Sequence, residues 1–193
     1  MKNQVVLVGC IEKDFEYSHT VYGERFYSGV MSVKRGSGKL DIIPLLVSEK
    51  LMELNRTYTG ECVHINGEYK SHNKRDDDKN KVMLYVFINS LEVLEASDNI
   101  NDVFLEGCIC KPPVYRHTPN GREIADVMLA VNRTYGKPDY IPCILWGRNA
   151  FTVRTLEVGS CIRVSGRIQS REYPKNGETK TAYEVSVNLL EIC

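Results

Sequence analysis

Three things are scarce in this 193-residue chain: long apolar runs, net charge, and cysteine pairs at metal-binding spacing. A membrane-spanning helix needs about 20 consecutive apolar residues, and the sequence has no such run. The 25 Lys and Arg residues balance 25 Asp and Glu residues, so bulk positive charge is excluded as the basis of binding to an acidic partner. Any such binding has to depend on where individual cations are placed.

Cysteine spacing and the lack of catalytic motifs exclude further classes of protein. The seven cysteines include no CxxC pair, and the closest two are Cys108 and Cys110, so the sequence predicts reduced thiols that pack the interior, and no metal site. The polar run at residues 72–81 lacks the glycine and the distal glutamate of a calcium loop. With no P-loop, GxSxG or HExxH motif, we expect a protein that is not an enzyme and has no cofactor.

The apolar stretch closest to the start of the sequence covers only residues 5–8. This stretch is too short for the core of a signal peptide. It also belongs to the repeated pattern described next. We therefore expect a cytoplasmic protein with no membrane partner.

The sequence contains an internal repeat, which appears when it is shifted by 98 residues in its first part and by 99 in its second. A repeat of this length indicates two homologous units. The matched pairs include Gly9 with Gly107, Cys10 with Cys108, His19 with His117, Arg35 with Arg133, Asp41 with Asp139, Pro44 with Pro142, Cys62 with Cys161 and Gly67 with Gly166. We predict two domains, residues 1–98 and residues 99–193, joined by a short polar linker at residues 95–99.

Alternation of apolar and polar residues in the second unit predicts five strands. They cover residues 103–109, 127–131, 141–145, 162–168 and 183–187, and a short helix at residues 149–156 follows the third. This order is typical of the oligonucleotide-binding (OB) fold, a five-stranded barrel. Because the first unit repeats the pattern, we predict an all-β chain with one short helix per unit, folded as two tandem five-stranded OB-fold barrels.

One side of the second unit combines cations with flat rings. If the apolar residues of the fourth strand face the core, the alternate residues project outward together. These residues are Arg163, Arg167, Gln169, Arg171 and Tyr173. By the same argument Tyr140 and Trp146 project outward from the third strand. Unpaired nucleic-acid strands are bound by such a combination of stacking rings and cations, although a solvated strand face or a protein interface would give the same pattern.

Six motifs in the second unit are shared with a known family. They are Asn101-x-Val103-x-Leu105-x-Gly107, Pro113-x-x-Arg116-x-Thr118-x-x-Gly121, Leu129-Ala130-Val131-x-Arg133, Asp139-Tyr140-Ile141, Trp146-Gly147-Arg148-x-Ala150 and Gly166-Arg167-x-Gln169-x-Arg171-x-Tyr173. With these motifs the unit resembles the bacterial single-stranded DNA-binding protein family. The resemblance implies sequence-independent binding and protection of single-stranded DNA in replication, recombination or repair.

The resemblance also implies which residues contact DNA. Four positions on which family members stack bases match aromatic residues here, namely Tyr135, Tyr140, Trp146 and Tyr173. The motifs add Arg116, Arg133 and Arg148 to the cations of the fourth strand. Two alternatives stay open: RNA as the bound strand, and an OB-fold interaction or scaffold module of a primosome-like or plasmid complex.

Assembly and location follow from the same resemblance. Family members usually assemble four barrels, so a chain with two implies a homodimer, in the bacterial cytoplasm and associated with the nucleoid. Members commonly end in a disordered tail with an acidic tip. This sequence stops at Cys193, directly after the last predicted strand, so we expect no recruitment of enzymes by such a tail.

The first unit departs from the family pattern. The counterparts of the four stacking positions are Ser37, Ile42, Ser48 and Lys74, and Glu68 replaces Arg167. Four cations are candidates for auxiliary DNA contacts, namely Lys34, Arg35, Arg56 and Lys70. Rings are present at other positions: Tyr17, Tyr22, Phe26, Tyr27 and Tyr69. An auxiliary DNA contact and a pairing surface both remain open for this unit.

Overall fold

The computed structural model of the chain describes residues 2–76, 79–96, 98–175 and 177–193, without the side chains of residues 74–81 and 175. The side chain of Lys74 and part of the run at residues 72–81 therefore lie outside the described residues. The chain divides into two compact units, which we call the N unit (Gln4–Lys70 and Leu84–Asp102) and the C unit (Met1–Asn3, Ser71–Met83 and Val103–Cys193). Within the described ranges, no helix is long and apolar enough to cross a membrane.

Five strands form a closed barrel in the N unit. They are β1 (Asn3–Val21), β2 (Glu24–Lys34), β3 (Leu40–Ser48), β4 (Cys62–Asp76) and β5 (Lys79–Leu94). Their order is β2-β3-β5-β4-β1, and the pairing of β2 with β1 closes the barrel. Strands β3 and β5 are parallel, with Leu45 opposite Val86 and Leu46 opposite Phe87.

The barrel of the C unit has the same topology. Its elements are β6 (Ile100–Ile109), β7 (Val114–His117), β8 (Glu123–Val131), β9 (Asp139–Trp146), the helix α1 (Gly147–Val153), β10 (Cys161–Lys175) and β11 (Glu178–Ile192). The order is β6-β10-β11-β9-β8, closed by the pairing of β6 with β8, and β7 adds to the outer side of β8. Strands β9 and β11 are parallel, with Cys143 opposite Val185 and Ile144 opposite Ser186. The predicted all-β fold with two five-stranded barrels is confirmed.

The alternating apolar residues fill the barrel interiors, as their period of two requires. In the C unit, Leu105, Leu129 and Ile141 are completely buried. A Cβ atom at Gly166 would lie 2.1 Å from the carbonyl oxygen of Ser186, so only glycine allows β10 to approach β11 this closely. A Cβ atom at the equivalent Gly67 would lie 2.3 Å from the carbonyl oxygen of Phe87, so the repeated glycine is required for this strand pairing in both units.

The prediction of one helix per unit is wrong for the N unit. At the position of α1, the described chain forms a three-residue 3-10 helix, Glu49–Leu51, capped by the hydroxyl of Ser48. Helix α1 buries Ala150 and Val153, whereas Glu49–Leu51 buries no residue. Because a short helix is stabilised mainly by packing of its buried face, the shorter turn replaces it.

The prediction of reduced thiols is wrong for one pair of cysteines. Cys108 and Cys161 lie opposite each other on β6 and β10 and form a disulfide, with Cα atoms 4.1 Å apart. The equivalent Cys10 and Cys62 also face each other, with their free thiols 3.5 Å apart. Strand register creates both pairs, which sequence spacing does not reveal. For Cys143 the packing role holds, since burial raises the pKa of its thiol to about 12 and keeps it protonated.

An ion pair between a buried carboxylate and a partly exposed arginine holds the start of β9 in the C unit. The carboxylate of Asp139 is 1% exposed and accepts hydrogen bonds from Arg133 Nε (2.8 Å) and from the backbone N–H of Ser71 (2.6 Å). The Ser71 carbonyl accepts from Arg133 Nη2 (2.7 Å), and its hydroxyl accepts from the backbone N–H of Tyr140 (2.8 Å). We call these four residues the clamp. It fixes the backbone that carries a predicted stacking ring.

The ion pair of the clamp recurs in the N unit. Asp41 is completely buried and accepts a hydrogen bond from Arg35 Nε (2.8 Å). This contact raises the pKa of Arg35 above its ordinary value. Burying an unpaired carboxylate is expensive, so the repeated Arg and Asp of the sequence are a structural pair.

Replacing Ser71 by Ala tests the clamp. The change removes the acceptor of the Tyr140 N–H, so we expect the free energy of unfolding to fall by about 1 to 3 kcal/mol. Urea unfolding followed by circular dichroism measures this difference. The control is Ser90→Ala, because the hydroxyl of Ser90 accepts one exposed side-chain hydrogen bond; equal stability of the two variants would contradict the role of the clamp.

Candidate nucleic-acid interface

The rings of β9 lie on the outer side of the barrel. Ile141, Cys143 and Leu145 fill the interior, so Tyr140 and Trp146 point the other way. We define the ring face as the outward side of β8, β9, β11 and β10. Its residues are Asp126, Tyr140, Ile144, Trp146, Arg167, Gln169, Arg171, Glu184 and Ser186.

The strand register gives the ring face two ends. At one end, Ser186 lies between Ile144 and Arg167, and Trp146 Nε1 donates a hydrogen bond to Ser186 Oγ (3.2 Å). At the other end lies Tyr140. Tyr140 and Trp146 are six residues apart on one strand, which corresponds to roughly 20 Å. The ring face therefore has room for an extended strand.

The four predicted stacking residues differ in exposure. Tyr135, in the loop between β8 and β9, is 88% exposed, and Tyr140 is 41% exposed. Trp146 and Tyr173 are half-buried. Tyr173 pairs with Lys180 in the outer part of the β10–β11 hairpin. Each ring thus keeps part of its surface open, and Trp146 has a fixed orientation.

A polar network links the arginines of β10 across the ring face. Arg167 Nη2 donates to Gln169 Oε1 (2.9 Å), and Gln169 Nε2 donates to Glu184 Oε1 (3.0 Å). Arg171 Nε lies 3.9 Å from the same carboxylate oxygen. Gln169 is 8% exposed and Glu184 is 12% exposed. The network orients Arg167 and Arg171. Its carboxylate, Glu184, also places a negative charge within the ring face.

A second carboxylate neutralises Arg116. Arg116 Nε donates to Asp126 Oδ2 at 2.7 Å, and this hydrogen bond raises the pKa of Arg116 above its ordinary value. Asp126 lies opposite Ile144, so the pair borders the ring face. An incoming phosphate would have to compete with this carboxylate for Arg116.

The remaining predicted cations lie elsewhere. Arg163 pairs with Glu106 (2.8 Å), which lies on β6, the neighbour of β10 on the edge opposite to β11. Arg133 belongs to the clamp, and Arg148 is exposed on α1. The structure therefore brings Arg116, Arg167, Gln169 and Arg171 to the ring face, whereas Arg133 and Arg163 pair with carboxylates away from it.

Three polar residues of the ring face are not among the residues predicted from the sequence: Glu184, Ser186 and Asp126. Alternation along β11 and β8 puts each of them opposite the apolar positions. That signal was present in the sequence. Which strand lies beside β9 was not, because the parallel pairing with β11 joins segments about 40 residues apart.

The candidate auxiliary cations of the N unit are mostly paired. Arg35 is held by Asp41, Arg56 pairs with Glu61 and Lys70 pairs with Glu68. Lys34 is exposed, and its backbone N–H donates to Asn99. Tyr69, named above as an available ring, is completely buried. Ser48 is 6% exposed and Ile42 is half-buried, and neither offers a ring.

Comparison with known proteins places the chain among its relatives. Residues 100–193 match the model of the single-strand binding protein family. Single-stranded DNA-binding protein A of Bacillus subtilis is 40% identical over 103 residues, covering 48% of this chain and 60% of the relative. Protein B of the same organism is 39% identical over 94 residues, covering 45% of this chain and 82% of that relative.

The fold of the whole chain also has a relative of known structure. The crystal structure of the wild-type single-stranded DNA-binding protein from Thermus aquaticus matches with a TM-score of 0.81 and 20% identity, covering 99% of this chain and 92% of the other. At this identity the likeness concerns the fold alone. The chain spans about half to three fifths of the length of several curated relatives from Bacillus and Staphylococcus. With protein B matched over most of its length, the chain belongs to the single-strand binding protein family.

Proposed function

We propose that this chain binds and protects single-stranded DNA without sequence preference and without catalysis, through residues 99–193. The observation that carries the proposal is the ring face, where Tyr140 and Trp146 are partly exposed beside Arg167 and Arg171. Stacking on aromatic rings tolerates every base and contributes about 1 to 3 kcal/mol per base. The matched relatives are named single-stranded DNA-binding proteins, which supports the same assignment.

The proposed contacts divide into stacking and phosphate groups. Tyr135, Tyr140, Trp146 and Tyr173 are the stacking residues, and Arg116, Arg167 and Arg171 are the phosphate contacts. Because Arg116 and Arg171 lie beside carboxylates, phosphates gain less from them than from unpaired cations. We therefore propose that stacking supplies most of the affinity, in the bacterial cytoplasm at the nucleoid, during replication, recombination or repair.

The first prediction concerns the rings. Trp146 is the only tryptophan, so its fluorescence should be quenched by oligo-dT. Tyr140→Ala leaves this reporter in place and should lower the affinity about fivefold or more, because one stacked base is lost.

The control for Tyr140→Ala is Phe151→Ala. Phe151 is 50% exposed on α1, away from the ring face, with Arg154 4.3 Å from its ring centre. Equal affinities of the two variants for oligo-dT would show that DNA binds to a surface other than the ring face. A wild-type protein that ignores oligo-dT would favour the scaffold function, and stronger competition by oligo-U than by oligo-dT would favour RNA.

The second prediction concerns the carboxylates. Asp126→Asn removes the charge that neutralises Arg116, so DNA affinity should rise at low salt. The slope of log affinity against log salt should steepen by about 0.7 for one added phosphate contact on a single strand. Glu106→Gln is the matched control, since it releases Arg163 away from the ring face. An unchanged slope in Asp126→Asn, or the same change in both variants, would exclude Arg116 as a phosphate contact.

We further propose that two copies of the chain assemble, giving the four barrels usual in the family. Sedimentation equilibrium should then give twice the chain mass of 22.0 kDa. The number of chains per assembly should not depend on added oligonucleotide, once the mass of the bound DNA is subtracted. A mass of 22.0 kDa at micromolar concentration would contradict this assembly.

A further inference from the structure

The outward face of the N unit carries rings at positions that the family pattern does not use. Phe26 of β2 lies between two other rings: His19 stacks on it with a centroid distance of 5.3 Å and an interplanar angle of 16°, and Phe87 of β5 lies 6.1 Å away. Phe26 and Phe87 are half-buried, and His19 is exposed. We call these three residues the ring cluster.

Strand register relates the ring cluster to the ring face of the C unit. In the C unit, Ser186 of β11 lies opposite Ile144, and Trp146 is two residues further along β9. In the N unit the same parallel pairing puts Phe87 opposite Leu46, with Ser48 two residues further along β3. Trp146 and Ser186 of the C unit thus correspond to Ser48 and Phe87 of the N unit. A ring is kept at this end of the face, moved by one strand.

Phe26 adds to this exchange. It lies directly opposite Ser48, and its counterpart in the C unit, Ile124, is 2% exposed. The N unit therefore replaces one large ring by two smaller ones, on the two strands that flank β3. Neither position would be found by looking for the family's stacking residues.

The outward face of the N unit also differs in charge from the ring face of the C unit. The carboxylates Glu184 and Asp126 of the C unit correspond to Tyr85 and Ser28 in the N unit. Two cations close to the ring cluster in the sequence are held in ion pairs: Arg25, next to Phe26, with Glu49 at 2.7 Å, and Lys50, two residues after Ser48, with Glu24 at 2.5 Å. The surface thus offers rings but little net charge for phosphates.

We propose that the ring cluster is a second binding site for unpaired bases, in which Phe26, Phe87 and His19 stack nucleotides of a long strand. This inference rests on the proposed function of the C unit. It assigns the N unit a stacking contact that is almost independent of salt, since few counterions are released when few phosphates are neutralised. The occupant is a single strand, because the cluster occupies the homologous face of a homologous barrel and combines ring surface with low net charge.

The experiment compares Phe26→Leu/Phe87→Leu with Tyr17→Leu. Leucine keeps apolar bulk and removes the ring. Tyr17 is 59% exposed in the same β1–β2 hairpin and packs edge-on against Tyr27, outside the ring cluster. Binding of short and long oligo-dT is followed by anisotropy of a dye on the DNA, and Trp146 fluorescence reports the C unit separately.

We expect the double variant to lose roughly fivefold or more in affinity for long oligo-dT, with an unchanged salt slope, unchanged Trp146 quenching by short oligo-dT and unchanged assembly mass. If the double variant binds long oligo-dT as tightly as Tyr17→Leu does, the ring cluster is not a binding site. The proposed function of the C unit would be unaffected by that result. A changed assembly mass would overturn the ring cluster as a binding site in favour of a contact between copies. No quenching of Trp146 in the unaltered protein would instead refute the proposed function itself.

A reporter in the cluster covers the case in which the double variant does not fold. Phe26→Trp, combined with Trp146→Phe, keeps a ring at both positions and moves the only tryptophan into the ring cluster. Its fluorescence should be quenched by long oligo-dT. Unchanged emission at saturating DNA would overturn the proposal independently of the leucine variant.

Discussion

The two-residue parallel pairing of β9 with β11 is the contact on which the functional surface depends. It joins β11 to β9 within the barrel and sets Ser186 beside Ile144, so that Trp146, Arg167 and the Glu184 network come to lie on one outward face. Gly166 permits the close approach of β10 to the other side of β11, because any side chain there would collide with the Ser186 carbonyl. The equivalent pairing of β3 with β5 gives the N unit a comparable face. One backbone constraint thus organises both candidate surfaces.

Charge on the ring face is balanced locally. Arg116 lies against Asp126 and Arg171 lies near Glu184, while Arg163 is held by Glu106 on another side of the barrel. Exposed ion pairs contribute little to stability, so their main effect here is on the availability of cations. A surface built this way favours stacking over bulk electrostatic attraction, in keeping with the zero formal charge of the chain.

The two repeats differ at the outward positions where a ligand would lie. They agree at residues whose contacts hold the barrel together. The pairs of Arg35 with buried Asp41 and of Arg133 with buried Asp139 recur, and so do the facing cysteines on the first and fourth strands of each barrel. The outward positions changed instead, with Trp146 and Ser186 corresponding to Ser48 and Phe87. Outward residues are free to change because they do not fill the interior.

The repeat, the all-β barrels and the outward placement of Tyr140 and Trp146 follow from the order of amino acids alone. Successive side chains of a strand point to opposite sides, regardless of which strand lies next to it. The sequence did not determine which strands become neighbours. For that reason the Cys108–Cys161 disulfide, the clamp around Ser71, the separation of Arg163 from the ring face and the carboxylates beside Arg116 and Arg171 emerged only from the tertiary structure. The shortening of the predicted helix of the N unit to a 3-10 turn at residues 49–51 also depends on tertiary structure. Packing, and not local propensity, stabilises so short an element.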